Sequence, residues 1–355
     1  WYFFLSVSSQ VAYTNWKDIY TISTTGGNPT NLTNNPYDVG INFEPKWSPD
    51  GSKIAYISLP NKDASGTFWA EGLWVMDKNG DNKEEIATET TGWWGEFVWS
   101  SDGNWIGYGG NGIYKVSPDG GTPIPVMTVT TGWISDLIWP KNDWMVYSYN
   151  YGSPTSGIYK VSPNGGLPIA IATSQGNYQG LTYSPNGDWI AYSYSSWMDD
   201  DRYIYKLPFI GGTPIAFVTS TTGWFDSPVW SRDGNWIAYI YKDNEGATST
   251  IMLLPANGGQ PLAIYATDKW IYELCWSPDS TKIGFGDGFN SYYISIAGSS
   301  LTKTNGQDTF SQIENMSGGM DWSADNIIAY NQNLDIYANQ SVQEEKPSLF
   351  VSPQS

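Results

Sequence analysis

Apolar and polar positions alternate along this chain in short runs, each closed by a cluster of Gly, Pro, Asn, Asp or Ser, and no stretch keeps a helical spacing. One phrase organises the runs. Trp47-Ser-Pro-Asp-Gly-Ser-Lys-Ile-Ala-Tyr56 returns as Trp99-Ser-Ser-Asp-Gly-Asn-Trp-Ile-Gly-Tyr108, as Tyr183-Ser-Pro-Asn-Gly-Asp-Trp-Ile-Ala-Tyr192 and as Trp230-Ser-Arg-Asp-Gly-Asn-Trp-Ile-Ala-Tyr239. Looser copies begin at Trp139, Trp276 and Trp322, so successive spacings are 52, 40, 44, 47, 46 and 46 residues. That period fits four-stranded propeller blades and is too long for most helical-hairpin repeats.

Each unit predicts four strands. The first ends at the Trp-Ser pair, and the Pro-Asp-Gly or Ser-Asp-Gly that follows makes a tight turn: Asp accepts local backbone hydrogen bonds and Gly supplies a positive φ. A second strand carries Ile-Ala-Tyr, a third is typified by Gly112–Ser117 and Gly157–Ser162, and a Gly-Gly-x-Pro turn leads to an outer strand. Second strands, from Val11-Ala-Tyr13 to the one at Ile328, count to eight. The expectation is therefore an all-β chain, a single propeller over residues 1–339, with eight blades favoured and seven the alternative should a terminal unit be incomplete. Residues 340–355 read as a strap, closing strand or linker.

The repeat phrase, followed by Ile-Tyr and Gly-Gly-x-Pro, resembles that of TolB-like, WD-like β-propellers, and the resemblance covers about Val11 to Ala338. It implies a platform of the kind found in periplasmic scaffolds, and in the propellers that precede the hydrolase domain of prolyl-oligopeptidase-type enzymes. No such hydrolase domain is present in this sequence. A fold of this kind names no chemistry by itself.

Composition narrows the chemistry. Among 355 residues there are 17 basic and 35 acidic ones, a formal charge of −18, which opposes contact with a nucleic-acid backbone. There is no histidine, one cysteine (Cys275) and two arginines (Arg202 and Arg232). Catalytic triads, His-ligated metals, intramolecular disulfides and arginine clamps are thereby set aside. Cys275, beside Trp276 and without a basic neighbour, reads as a small buried hydrophobe. No segment is apolar over a membrane-spanning length. The chain begins at Trp1 rather than Met, which suggests processing or a beginning outside this sequence, and sequons at Asn31, Asn315 and Asn339 mildly favour an exported protein.

Two sets of residues recur near the strand that should line the channel. Trp93, Trp133, Trp224 and Trp270 stand six positions before a motif Trp, and Tyr178 lies near the matching place. Exposed, these rings would bind a protein partner, a second copy of the chain or, as the alternative, a glycan; buried, they would wedge neighbouring blades, the reading favoured for most of them. Three positions before the motif residue come Glu44, Glu96, Asp136 and Glu273, with Asp226 one further out. Strand alternation aims them at the channel mouth, where converging carboxylates would make a candidate Ca²⁺ site, the only cofactor considered. The simpler reading is a hydrated acidic channel or hydrogen-bond caps on adjacent turns. Asp77-Lys-Asn-Gly-Asp81 reads as a hairpin turn and Asp199–Asp201 as a solvated loop. The expected function is a non-catalytic platform, with a polysaccharide-binding or carboxylate-dependent glycan-cleaving propeller as the alternative.

Overall fold

The computed structural model describes residues 11–14, 18–22, 30–34, 41–59, 71–89, 96–110, 112–128, 133–140, 144–150, 156–198, 201–243, 248–271, 274–277, 279–286, 291–296, 311–313, 321–323 and 327–329. Among these residues all regular structure is β, and every strand pair is antiparallel. Six complete four-stranded sheets follow one another in chain order, over 41–89, 97–128, 133–173, 176–220, 223–267 and 274–313. They are called blades 1 to 6 here. A three-stranded sheet over 11–31 precedes them and a two-stranded sheet over 321–329 follows.

The chain is thus a β-propeller of four-stranded blades, with six blades complete in place of the eight expected or the seven allowed. The shortfall lies at the two ends. Strand Val11–Thr14 touches both strands of the 321–329 sheet as well as the inner strand of blade 1. Strand Asp321–Ser323 touches the inner strands of blades 1 and 6. The two partial sheets therefore lie between the last complete blade and the first, and the rest of both terminal units lies outside the described residues. Residues 340–355 and Trp93 lie outside the described residues, as does Glu273.

The repeat phrase builds each blade's first hairpin from local bonds. Ser48 Oγ donates to Asp50 Oδ1 at 2.7 Å and accepts from Lys53 N at 2.9 Å, while Asp50 Oδ1 accepts from Ser52 N at 3.0 Å. Gly51 closes the turn at a φ of 68°. The same set recurs at Ser100/Asp102, Ser231/Asp233 and Ser277/Asp279. Once the turn fixes register, the Ile of each second strand points inward: Ile54, Ile106, Ile190, Ile237 and Ile283 are all fully buried. Asp77–Asp81 is likewise a hairpin turn, closed by Asp77 N donating to Asp81 O at 2.9 Å.

The motif tryptophans Trp47, Trp99, Trp139, Trp230 and Trp276 close the inner strands and are all buried, Trp99, Trp139 and Trp230 against residues of the preceding blade. Their indoles also stitch. Trp99 Nε1 donates to Lys46 O in the blade before it, and Trp276 Nε1 to Val229 O, both at 3.1 Å. The side chain of Trp322 is not among those described.

Candidate functional site

The turns after the inner strand and after the third strand share one end of the propeller. The loops that enter each inner strand, and those between second and third strands, share the other. Candidate residues cluster at this second end, and an irregularity of the inner strands decides which way they face. The ladder between inner and second strand slips between Phe43 and Lys46, Ile134 and Asp136, Gln179 and Thr182, and Asp226 and Val229. Glu44, Gly180 and Ser227, each three positions before the motif residue, adopt left-handed φ values of 52°, 62° and 49°. Such bulges turn the strand and break simple alternation.

Two of the carboxylates are engaged in hydrogen bonds between blades. Glu96 Oε2 accepts from Leu137 N of the next blade at 3.1 Å. Asp136 Oδ1 accepts from Gly180 N of the blade after that at 3.0 Å, and its Oδ2 accepts from Ser148 Oγ at 2.6 Å. Lys46, in blade 1, lies 3.8 Å from Glu96 Oε1 and donates to Phe97 O at 2.5 Å. These groups form a belt of inter-blade stitches, the hydrogen-bond alternative to a metal site. Among the described residues no three His, Cys, Asp or Glu side chains gather to hold a metal, and Glu273 lies outside them. Burial, and then the negative charge of Glu96, push the Asp136 carboxyl up to about 7, against the pull of its hydrogen bonds.

The aromatic set divides by one position. Residues five before the motif residue point inward: Ile134, Tyr178, Phe225 and Ile271 are all buried. Tyr178 pairs with Tyr194 as Phe225 pairs with Tyr241, so its structural counterpart is Phe225 and not Trp224. It belongs to the core, where its backbone N–H donates to Asn150 Oδ1 at 3.2 Å. Residues six before point outward: Trp224 and Trp270 are 44% and 43% exposed. Trp133 opens the inner strand of blade 3, although its side chain is not described.

Trp224 and Trp270 line one groove of about 400 Å³ with Asn177, Gln179, Arg202, Asp226 and Lys242. Lys242 Nζ lies 3.1 Å from Asp226 Oδ2 and 4.8 Å from the centre of the Trp270 ring, which locks that wall of the groove. Trp197 and Met198, 41% and 77% exposed, leave the same end of blade 4. Sequence reading missed Arg202, Lys242 and Asn177. The usable signal was spacing, since Asn177 occupies in blade 4 the place of Trp224 in blade 5.

The remaining candidates are structural. Cys275 is buried against Gly284 O. Asn31 Nδ2 donates to Asp18 Oδ2 at 3.0 Å, and Thr33 Oγ1 donates to Asp18 Oδ1 at 2.7 Å, so this sequon is engaged within a turn.

No protein-family model matches the chain, and no curated protein sequence does either. Solved structures do. A putative TolB from Agrobacterium tumefaciens superposes with a TM-score of 0.51 at 17% identity, over 72% of this chain and 95% of the other. TolB from Acinetobacter baumannii gives 0.53 at 14%, over 90% and 81%. An oligogalacturonate lyase from Vibrio parahaemolyticus gives 0.57 at 13%, over 71% and 76%. At such identities the likeness is one of fold, and that fold is the TolB-like β-propeller.

Proposed function

We propose that the chain is a non-catalytic, exported β-propeller that serves as a protein-binding or self-assembly platform, with the Trp224–Trp270 groove as its docking face. The observation that carries this reading is the exposure of two large indoles in one groove, with Trp197 and Met198 exposed at the same end, while the motif tryptophans among the described residues are buried. Solvated indoles clustered in this way are the residues that concentrate binding energy at protein interfaces. The likeness to TolB propellers supports a scaffold role, and that resemblance and the sequons at Asn315 and Asn339 support export. No helix among the described residues is long and apolar enough to cross a membrane. The test replaces Trp224 and Trp270 together by Ala and compares melting temperature with association state in sedimentation. Lost association at an unchanged melting temperature supports the proposal. Association that survives the double substitution contradicts it.

A further inference from the structure

At the opposite end, among the turns that close the hairpins, two pockets between blades share a Trp, Lys, Trp and Asn lining. One, of about 390 Å³, lies between blades 2 and 3, and the other, of about 290 Å³, between blades 4 and 5. Trp105, Lys115, Trp139 and Asn164 line the first, where Trp189, Lys206, Trp230 and Asn257 line the second. The correspondence is one of register, since Lys115 faces Gly107 across its ladder as Lys206 faces Ala191.

The two ammonium groups are the informative feature. Lys115 and Lys206 are only 7% and 8% exposed, and each Nζ sits over an indole, 4.6 Å from the Trp105 centroid and 4.2 Å from that of Trp189. Among the described residues Lys115 has one hydrogen bond, to Asn164 Oδ1 at 3.3 Å, and Lys206 one, to Ala256 O at 2.8 Å. No carboxylate of those residues comes within 4 Å of either. An ammonium has three donors, so most of this capacity is unspent in a place where a buried charge needs a partner. The intervening position shows what a closed site looks like. Lys160 has the same register and, like Lys206, donates to a backbone carbonyl, Phe209 O at 3.0 Å, but the buried Phe209 ring lies 4.7 Å from it, where the other two sites have Pro163 and Ala256. Lys206 also lies 5.3 Å from the Phe217 ring and 5.4 Å from that of Trp230.

Spare ammonium donors suit a carboxylate. Asn164 in one pocket and Asn257 in the other suit hydroxyl groups, and the indole walls suit C–H faces. Asp102 and Asp233 also line the pockets, but their carboxylates are taken up by Ser100 and Asn104 and by Ser231 and Asn235 of the hairpin turns. Pockets of this size lie at the small end of ligand sites. We propose that each takes one carboxylate-bearing sugar unit, its carboxylate on Lys115 or Lys206 Nζ, so that the chain holds an acidic glycan at two equivalent points. The chain's net charge of −18 repels a polyanion at long range, but that repulsion is screened beyond about 8 Å at physiological salt. Recognition therefore rests on the two short-range ammonium contacts.

The experiment is a calorimetric titration of the whole chain with sodium glucuronate, with glucose and a glutamate-containing peptide as the other arms. Two equivalent sites for glucuronate are expected, with glucose and the peptide at least ten-fold weaker. Lys115→Met and Lys206→Met keep the aliphatic stem over the indole and should each remove one site, and the double variant both. Trp224→Ala with Trp270→Ala should leave both sites intact, which separates this proposal from the docking face. Absence of saturable glucuronate binding to the wild-type chain, equal binding of glucose, or equal binding of the peptide would each overturn it.

Discussion

The Asp136 carboxylate holds the backbone N–H of Gly180, 44 residues further on and in the next blade, at 3.0 Å. The contact needs Gly180 at a φ of 62°, and a Cβ there would meet Pro228 Cδ at 2.7 Å. Three blades therefore meet at one glycine. Gly180→Ala should destabilise the fold by about 1–3 kcal/mol through backbone strain and crowding, measured by denaturant unfolding. A change within the error of a surface substitution would show that the bulge is dispensable.

The same carboxylate predicts a pH dependence. Its value in the fold, about 7, stands above the ordinary aspartate value of about 3.9. Its contribution is thus fully present below about pH 4 and is lost as pH rises through about 7. Asp136→Asn keeps an acceptor for Gly180 and should flatten this limb. Relative to wild type, the variant should gain melting temperature between pH 5 and pH 8, a window set by that same value. Parallel melting curves would contradict the assignment.

The turn aspartates act at the other end of the scale. Burial alone would raise the Asp233 carboxyl, but bonds from Ser231, and from the backbone and side chain of Asn235, outweigh it and hold it below the ordinary range. Asp50, Asp102 and Asp279 are held down in the same way. A depressed value contributes stability above the ordinary one that is lost as pH falls through it, so acid should unfold the chain below about pH 4. Blade 4 already uses Asn186 in this turn, with Ser184 Oγ donating to its Oδ1 at 2.6 Å. Asp233→Asn should therefore fold, cost about 1 kcal/mol at neutral pH, and make the acid limb shallower. An unchanged acid limb would remove the turn aspartates from the explanation.

Two tryptophans offer an internal comparison. Trp276 Nε1 donates to Val229 O, whereas Trp47 Nε1 has no hydrogen-bond partner among the described residues. Trp276→Phe should cost about 1–3 kcal/mol more than Trp47→Phe, because it strands a buried carbonyl. Equal losses in denaturant unfolding would mean that the indole bond adds nothing to packing.

What was legible in the sequence follows the range of the interactions concerned. The Trp-Ser-x-Asp-Gly turn is held by bonds spanning at most five residues, from Ser48 to Lys53, so it can be read locally. The facing of Glu96 and Asp136 cannot, because their carboxylates are bonded to residues 41 and 44 positions away. Tyr178 was misplaced by a single position, and in a strand one position exchanges core for surface. The blade count departs from the expectation only at the two ends of the chain, where six complete blades give way to a three-stranded and a two-stranded sheet among the described residues. The Trp224–Trp270 groove joins two blades, and only the fold puts Lys242 against both Asp226 and the Trp270 ring.

The central claim, that this propeller works through the groove face and not through a reaction centre, is tested most directly by hydroxyl-radical footprinting of the chain, alone and in its native assembly. Trp224, Trp270, Trp197 and Met198 should be oxidised readily in the isolated chain and protected in the assembly. Leu167 and Ile210, exposed singly at turns of the opposite end, should react equally in both states. Protection of those two residues, with Trp224 and Trp270 unchanged, would contradict the account.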